Sequence, residues 1–183
     1  MIAGLEHTFG KPNIMTVKEL LLQYARYSQW AHKRLLDLIN TLTAEQQHAT
    51  IPSSFDSLYK TVFHIWAAES LWLARLNQES AKISGDPFDG SMENISRALE
   101  AVDQQWVYWF DGKEDSQLTE KIHYTNVAGQ AFYEPFDLLL IHIFNHNTYH
   151  NGQLVTMLRA LAVGTIPATD FIYWKRLPIS TVI

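Results

Sequence analysis

The chain has 183 residues, 47% of them hydrophobic and 18% charged, with a net charge of −5. That balance is enough for a substantial core and argues against disorder. The acidic balance and the lack of any Lys/Arg run exclude a nucleic-acid footprint. The absence of cysteine removes disulfides, thiolate ligands and thiol nucleophiles.

The first 15 residues, “MIAGLEHTFGKPNIM”, have neither the basic start nor the apolar core of a secretory signal, and read as an N-terminal extension. No apolar run approaches the roughly 18 residues a membrane span needs, so a soluble cytoplasmic protein is expected. Residues 16–183 are expected to form one domain. “TVKE” at Thr16–Glu19 is a capping box, in which hydroxyl and carboxylate each meet an orphan backbone N–H. Behind it Val17, Leu20, Leu21, Tyr24, Ser28, Ala31, Leu35, Leu38 and Leu42 recur at three and four, predicting a first long amphipathic helix. “TAEQ” at Thr43–Gln46 is a second, shorter capping box, followed by a loop around Pro52–Asp56.

A second long helix is predicted from about Ser57 to Leu76, carrying Leu58, Val62, Ile65, Leu71, Trp72 and Leu76. “SGDPFDGS” at Ser84–Ser91 breaks the chain. A third helix follows from about Met92 to Phe110, and its end, “WVYWF”, is apolar nearly all round. Burial from two sides is implied, by a dimer contact or a pocket wall. Residues 111–134 look irregular, with a short extended piece at “KIHYTN”. Pro135 suits the first position of a fourth helix, where its missing N–H costs nothing. That helix is predicted to run to a stop at Gly164. A short amphipathic tail, “TDFIYWKR”, follows. Four long amphipathic helices predict an all-α protein, an antiparallel four-helix bundle.

Chemistry gathers in the last long helix, where His142, His146 and His150 stand four apart. Such positions lie about 40° round a helix and form a stripe. One ion cannot take all three, because eight residues span about 12 Å at 1.5 Å per residue, whereas metal–nitrogen bonds are about 2.0–2.1 Å. An ion must use His142 with His146, or His146 with His150, and draw a third ligand from another helix. His64, in “VFHIWAAESLWL”, is the candidate, although alone on an apolar face it reads more simply as a hydrogen-bonded core histidine. Glu69 lies about 140° round the helix from His64, which favours ion pairing or support over ligation. Asp137 faces away from His146 by the same arithmetic. His7, His32, His48 and His123 have no such pairing and are expected at the surface or in loops.

“HIWAAESLWLARL” followed by “LLLIHIFNHNTYHNGQL” resembles the DinB superfamily, damage-inducible proteins with a YfiT-like metalloenzyme fold. “YSQWAHKRLLDLI”, “YTNVAGQAF” and the Thr169–Asp170 pair fit as well, so the likeness spans nearly all of the chain after Met15. The resemblance implies a four-helix bundle of the DinB/YfiT-like type, commonly dimeric, with one divalent ion held by His64, His146 and His150. His142 would line the site or pack beside it. Tyr149 and Asn151 stand where the family often has His and Arg, which weakens an anion clamp at that position and leaves the three ligands intact.

Three neutral imidazoles without a carboxylate would leave an ion its full charge and open positions, the pattern of a catalytic site. Zinc is the first choice on ligand type, with nickel, iron or manganese as alternatives. The family's precedents are transfer of a low-molecular-weight thiol onto an electrophile and thiol-dependent isomerisation, in which the ion would stabilise a thiolate; water as nucleophile would make a hydrolase. The expectation is therefore a metal-dependent transferase or hydrolase acting on a small molecule, possessing no nucleic-acid or membrane partner and forming a homodimer. The alternatives are a non-catalytic, stress-related metal-binding dimer, and a bundle whose histidines merely pack.

Overall fold

In a computed structural model of the protein, residues 15–79, 82–126 and 128–178 are described. Apart from Met15, the predicted N-terminal extension lies outside them, as does His7. The described elements are α1 (Val17–Ile39), α2 (Ala44–His48), α3 (Leu58–Leu76), α4 (Met92–Trp109), a 3-10 turn (Asp115–Thr119), β1 (Lys121–Thr125), β2 (Ala131–Pro135), α5 (Phe136–Ala160) and α6 (Phe171–Lys175). Among them, no helix is long and apolar enough to cross a membrane.

The helix starts follow their caps. Glu19 N–H donates to Thr16 Oγ1 at 3.1 Å, and Thr16 N–H donates to Glu19 Oε2 at 2.8 Å. Thr43 and Gln46 repeat the arrangement at α2, and Ser57 and Ser91 cap α3 and α4. Three boundaries differ from expectation, and the first is α1, which ends at Ile39 short of Leu42. Pro135 is the N-cap of α5, with ψ of 140°, because it also closes the β1–β2 ladder opposite Lys121. The far end of α5 stops before Gly164: Ala162 takes the left-handed turn at φ +54°, and Val163 N–H reaches back to Leu158 O at 3.0 Å. The extended piece at “KIHYTN” proves to be half of an antiparallel hairpin. Its turn is held by Asn126, whose Oδ1 accepts from the N–H groups of Ala128 and Gln130.

The four long helices form an all-α bundle in which α1 packs against α4 and α5, and α3 packs against the same two. Cross-helix pairs give the directions. Gln29–Gln104 and Asn40–Ser96 show α1 and α4 running oppositely. Thr61–Met157 and Trp72–His142 show the same for α3 and α5. The ends of α3 and α4 meet in one apolar cluster and their starts in another, so these two run the same way. The start of α4 therefore lies at the opposite end of the bundle from the end of α3.

The core comes in two parts. One cluster gathers Leu21, Leu76, Trp106, Phe110, Leu140 and Phe144, and the other Leu35, Ile39, Val62, Ile95, Leu154 and Leu158. Polar residues separate them on every long helix: Ser28 and His32 on α1, Glu69 on α3, Asp103 on α4, Asn147 and Asn151 on α5. “WVYWF” finds its second side within the chain. Trp106 and Phe110 are buried, Trp109 packs on Phe136 and donates its Nε1–H to Asn77, and Tyr108 remains exposed.

Candidate metal centre

His64 is one turn inside α3, and His146 and His150 are successive turns of α5 on the facing side. Because α3 and α5 run oppositely and touch, the three imidazoles converge. His146 Nε2 lies 3.0 Å from His64 Nε2 and 3.0 Å from His150 Nε2. An imidazole nitrogen carries either one hydrogen or one lone pair in the ring plane, so His146 Nε2 can hydrogen-bond only one of these neighbours. Three nitrogens crowding one point make sense around a cation. Two metal–nitrogen bonds of about 2.0–2.1 Å, meeting at about 90–109°, hold their nitrogens roughly 2.9–3.4 Å apart. The spacing fits, and the three form one of two groups among the described residues able to hold a metal ion.

The electrostatics point the same way. Burial pushes His64 and His146 down to about 4, with the neighbouring His150 adding to the shift. Burial lowers His150 too, partly offset by its bond with Gln153. All three are therefore neutral at pH 7, the form a metal needs. His150 Nδ1–H donates to Gln153 Oε1 at 2.7 Å, which leaves its Nε2 lone pair directed at the other two rings. Gln153 is itself held, its amide donating to Ser54 Oγ at 2.8 Å and to Tyr149 Oη at 3.0 Å. Phe55 stacks on His64 with centroids 4.0 Å apart and covers it from the loop before α3.

His142, also on α5, is exposed, lies with its ring 6.1 Å from that of His146 and packs on Trp72. It sits beside the convergence point and outside the group. Phe55, Ser54 and Gln153 were not singled out by sequence reasoning. Gln153 carried a signal, three residues after His150 and so on its face of the helix, whereas Ser54 and Phe55 come from a loop whose path sequence periodicity does not predict.

A hollow of about 260 Å³ is lined by Pro52, Ser53, Tyr149, Gly152, Gln153 and Met157; it shares Gln153 with the group, and none of the three imidazoles lines it. A larger and more apolar one, about 620 Å³ and lined by Tyr24, Tyr27, Ile141, Thr148 and Phe171, lies between α1, α5 and α6. Ile141 and Thr148 are about 160–180° round α5 from His150, so this larger hollow faces away from the imidazoles.

Three of the other histidines lie within the described residues. His48 is exposed and bonds Gly90 O at 3.0 Å, and His123 is exposed on β1. His32, expected at the surface, is instead 1% exposed, with Nδ1 lying 3.0 and 3.1 Å from the two oxygens of Asp103. It is a core residue because α4 brings a carboxylate to it, a pairing that no local spacing on α1 announces. Glu69, also buried, accepts from Asn147 Nδ2, in keeping with a supporting rather than ligating place relative to His64. Asp137 caps its own neighbour at the start of α5, away from the site.

A family model described as “DinB family” matches residues 15–176. Protein DinB of Bacillus subtilis (strain 168) is 22% identical over 153 residues, covering 79% of this chain and 87% of that one. Among solved structures, a DinB-like protein from Bacillus cereus superposes with a TM-score of 0.65 at 20% identity, covering 84% of this chain and 97% of its own. A conserved protein from Enterococcus faecalis superposes with a TM-score of 0.60 at 14% identity, covering 80% and 97%. At these identities the structures speak for the fold alone.

Proposed function

Because the chain belongs to the DinB family and three neutral imidazole nitrogens meet at one half-buried point, we propose that it is a metal-dependent enzyme whose ion is held by His64, His146 and His150. The observation that carries this reading is His146 Nε2 lying 3.0 Å from both of its neighbours. Zinc fits an all-imidazole set first, with nickel, iron or manganese as alternatives. When bound, such an ion supplies a Lewis acid that favours the ionised form of a thiol or water brought to it. The chain's own residues do the rest. Gln153 holds His150 in the tautomer that leaves Nε2 free, Phe55 keeps water from one face of His64, and the hollow walled by Pro52, Ser53 and Tyr149 receives a small substrate.

The reaction is transfer of a low-molecular-weight thiol onto an electrophile, or hydrolysis. The absence of cysteine is consistent with both, since the nucleophile is then a thiol cosubstrate or water. The protein acts in the cytoplasm as a homodimer. Leu20, Leu138, Ile141 and Ile172, each 47–56% exposed on α1, α5 and α6, support the dimer. A non-catalytic metal-binding module is the second reading. It is favoured by Gln153, Tyr149 and Ser54 spending their bonds on one another.

Cobalt-loaded protein tests the proposal. A small thiol should perturb its visible spectrum, and metal removal should abolish thiol–electrophile turnover while the helix signal stays constant. Turnover without thiol, with a pH-dependent rate on esters or amides, would select the hydrolase. Neither activity on a broad panel would leave the binding module.

A further inference from the structure

The second group able to hold a metal ion is His32, Glu69 and Asp103, where one donor atom from each lies within 4.8 Å of the others. It occupies the polar layer between the two apolar clusters, and α1, α3 and α4 contribute one residue each. Asn147 on α5 reaches the group through its bond to Glu69 Oε1. These four residues, and Asn151 one turn further along α5, are all 3% exposed or less.

What the hydrogen bonds leave over identifies the missing partner. His32 Nδ1 is the ring nitrogen that faces the carboxylates, 3.0 and 3.1 Å from the two Asp103 oxygens, and its Nε2, on the far side of the ring, has no partner. Asn147 Oδ1 and both amide atoms of Asn151 have none either, and Glu69 Oε2 meets only the Asp103 carboxyl. Native proteins seldom bury even a few unpartnered polar atoms, and this many oxygens gathered at one level of a core are unusual. A hydrogen-bond donor could serve one or two of them. A cation serves them together and also balances charge: one divalent ion matches two carboxylates beside a neutral imidazole. Bundle cores build such sites from inward side chains on facing helices.

We propose that His32, Glu69 and Asp103, with the Asn147 amide oxygen, form a second cation site that takes one divalent transition-metal ion. Its mixed nitrogen and oxygen donors suit manganese, ferrous iron or zinc. This site differs in kind from the three-imidazole one. It is fully buried and charge-neutral when filled, so its ion ties four helices together rather than meeting substrate. Asn151 also lines the larger hollow between α1, α5 and α6, which places the approach to the layer on the face opposite the imidazoles.

The test separates this site from the first. A His146→Ala/His150→Ala variant, refolded with Mn(II) and desalted, should keep about one ion per chain by elemental analysis. Adding Glu69→Gln or Asp103→Asn should remove it. Manganese EPR of the retained ion should show coupling to a single ring nitrogen. A folded double-histidine variant holding no ion overturns the proposal, as does an ion that survives both carboxylate substitutions. Should the double-histidine variant not fold, wild-type protein decides, because Glu69→Gln must then lower its manganese content by one ion per chain, and an unchanged content overturns the site.

Discussion

His146 and His150 sit beside Asn147 and Asn151 on α5, and one step along the helix separates two different kinds of polar site. The imidazoles form a half-buried cluster of like groups at the α3–α5 seam, all neutral, with His150 tied through Gln153 to a residue that lines a hollow. Behind them the His32–Glu69–Asp103 layer mixes base and acids, is sealed between apolar clusters and is stitched to all four long helices. The first is built to be reached and the second to be enclosed. Protein stability should therefore depend on the layer and ligand binding on the imidazoles, and the two should come apart under mutation.

The largest effect is expected at His146, whose Nε2 faces both partners. His146→Ala should weaken metal binding by more than about 100-fold, since loss of a mere outer partner costs 10–100-fold. Helix content should be unchanged, because the apolar clusters and not the imidazoles hold the bundle. Metal titration beside circular dichroism checks both; unfolding of the variant would erase the contrast between the two regions. Asp103→Ala comes next and should do the reverse. Leaving the buried His32 imidazole without its hydrogen-bond partner costs about 1–3 kcal/mol, which is roughly 2–12 °C in Tm for a chain of this size, while occupancy of the three-imidazole site persists. Differential scanning calorimetry reads it, and a change under about 1 °C would mean that the layer carries no such weight.

Gln153→Ala sharpens the first region from within. It frees His150 to adopt the other tautomer and should weaken metal binding by about 10–100-fold. Equal affinities for variant and wild type would remove Gln153 from the site. The smallest effect belongs to His142→Ala: no loss of metal, and stability within about 0.5 kcal/mol, since the side chain is exposed and outside the group. Metal loss in that variant would shift the ion along α5.

Acid should also distinguish the regions in metal-free protein. His64 and His146 titrate near 4 when folded and near 6.5 when unfolded, so the unfolded chain binds more protons between those values. Their contribution is complete above about pH 6.5 and declines as pH falls toward 4. Burial raises the Glu69 and Asp103 carboxyls, so their contribution has the opposite slope and falls as pH rises above the ordinary carboxylate range. Thermal unfolding in chelator across pH 4–8 should show the imidazole slope flattened by His64→Ala and the carboxyl slope flattened by Glu69→Gln. Profiles that respond to neither substitution would remove both assignments.

Local rules in the sequence determined much of this protein. Hydroxyl caps and apolar residues at three and four placed the starts of four long helices within a residue, because both act within one or two turns of chain. Two histidines four apart marked α5 as the carrier of chemistry for the same reason. His64 was a candidate by pattern and a member of the group by resemblance, and the α3–α5 seam then brought it to His146. Where interactions act across helices the residues were silent. “KIHYTN” needed its partner strand, Ala162 took a left-handed turn expected at Gly164, and α3 and α4 proved parallel. His32, Glu69 and Asp103 are single polar residues on three separate helices, without a shared spacing to connect them. Only the packing of α1, α3 and α4 around one level, with α5 closing it, decided that they meet, because burial and pairing of a polar side chain depend on what the neighbouring helix presents.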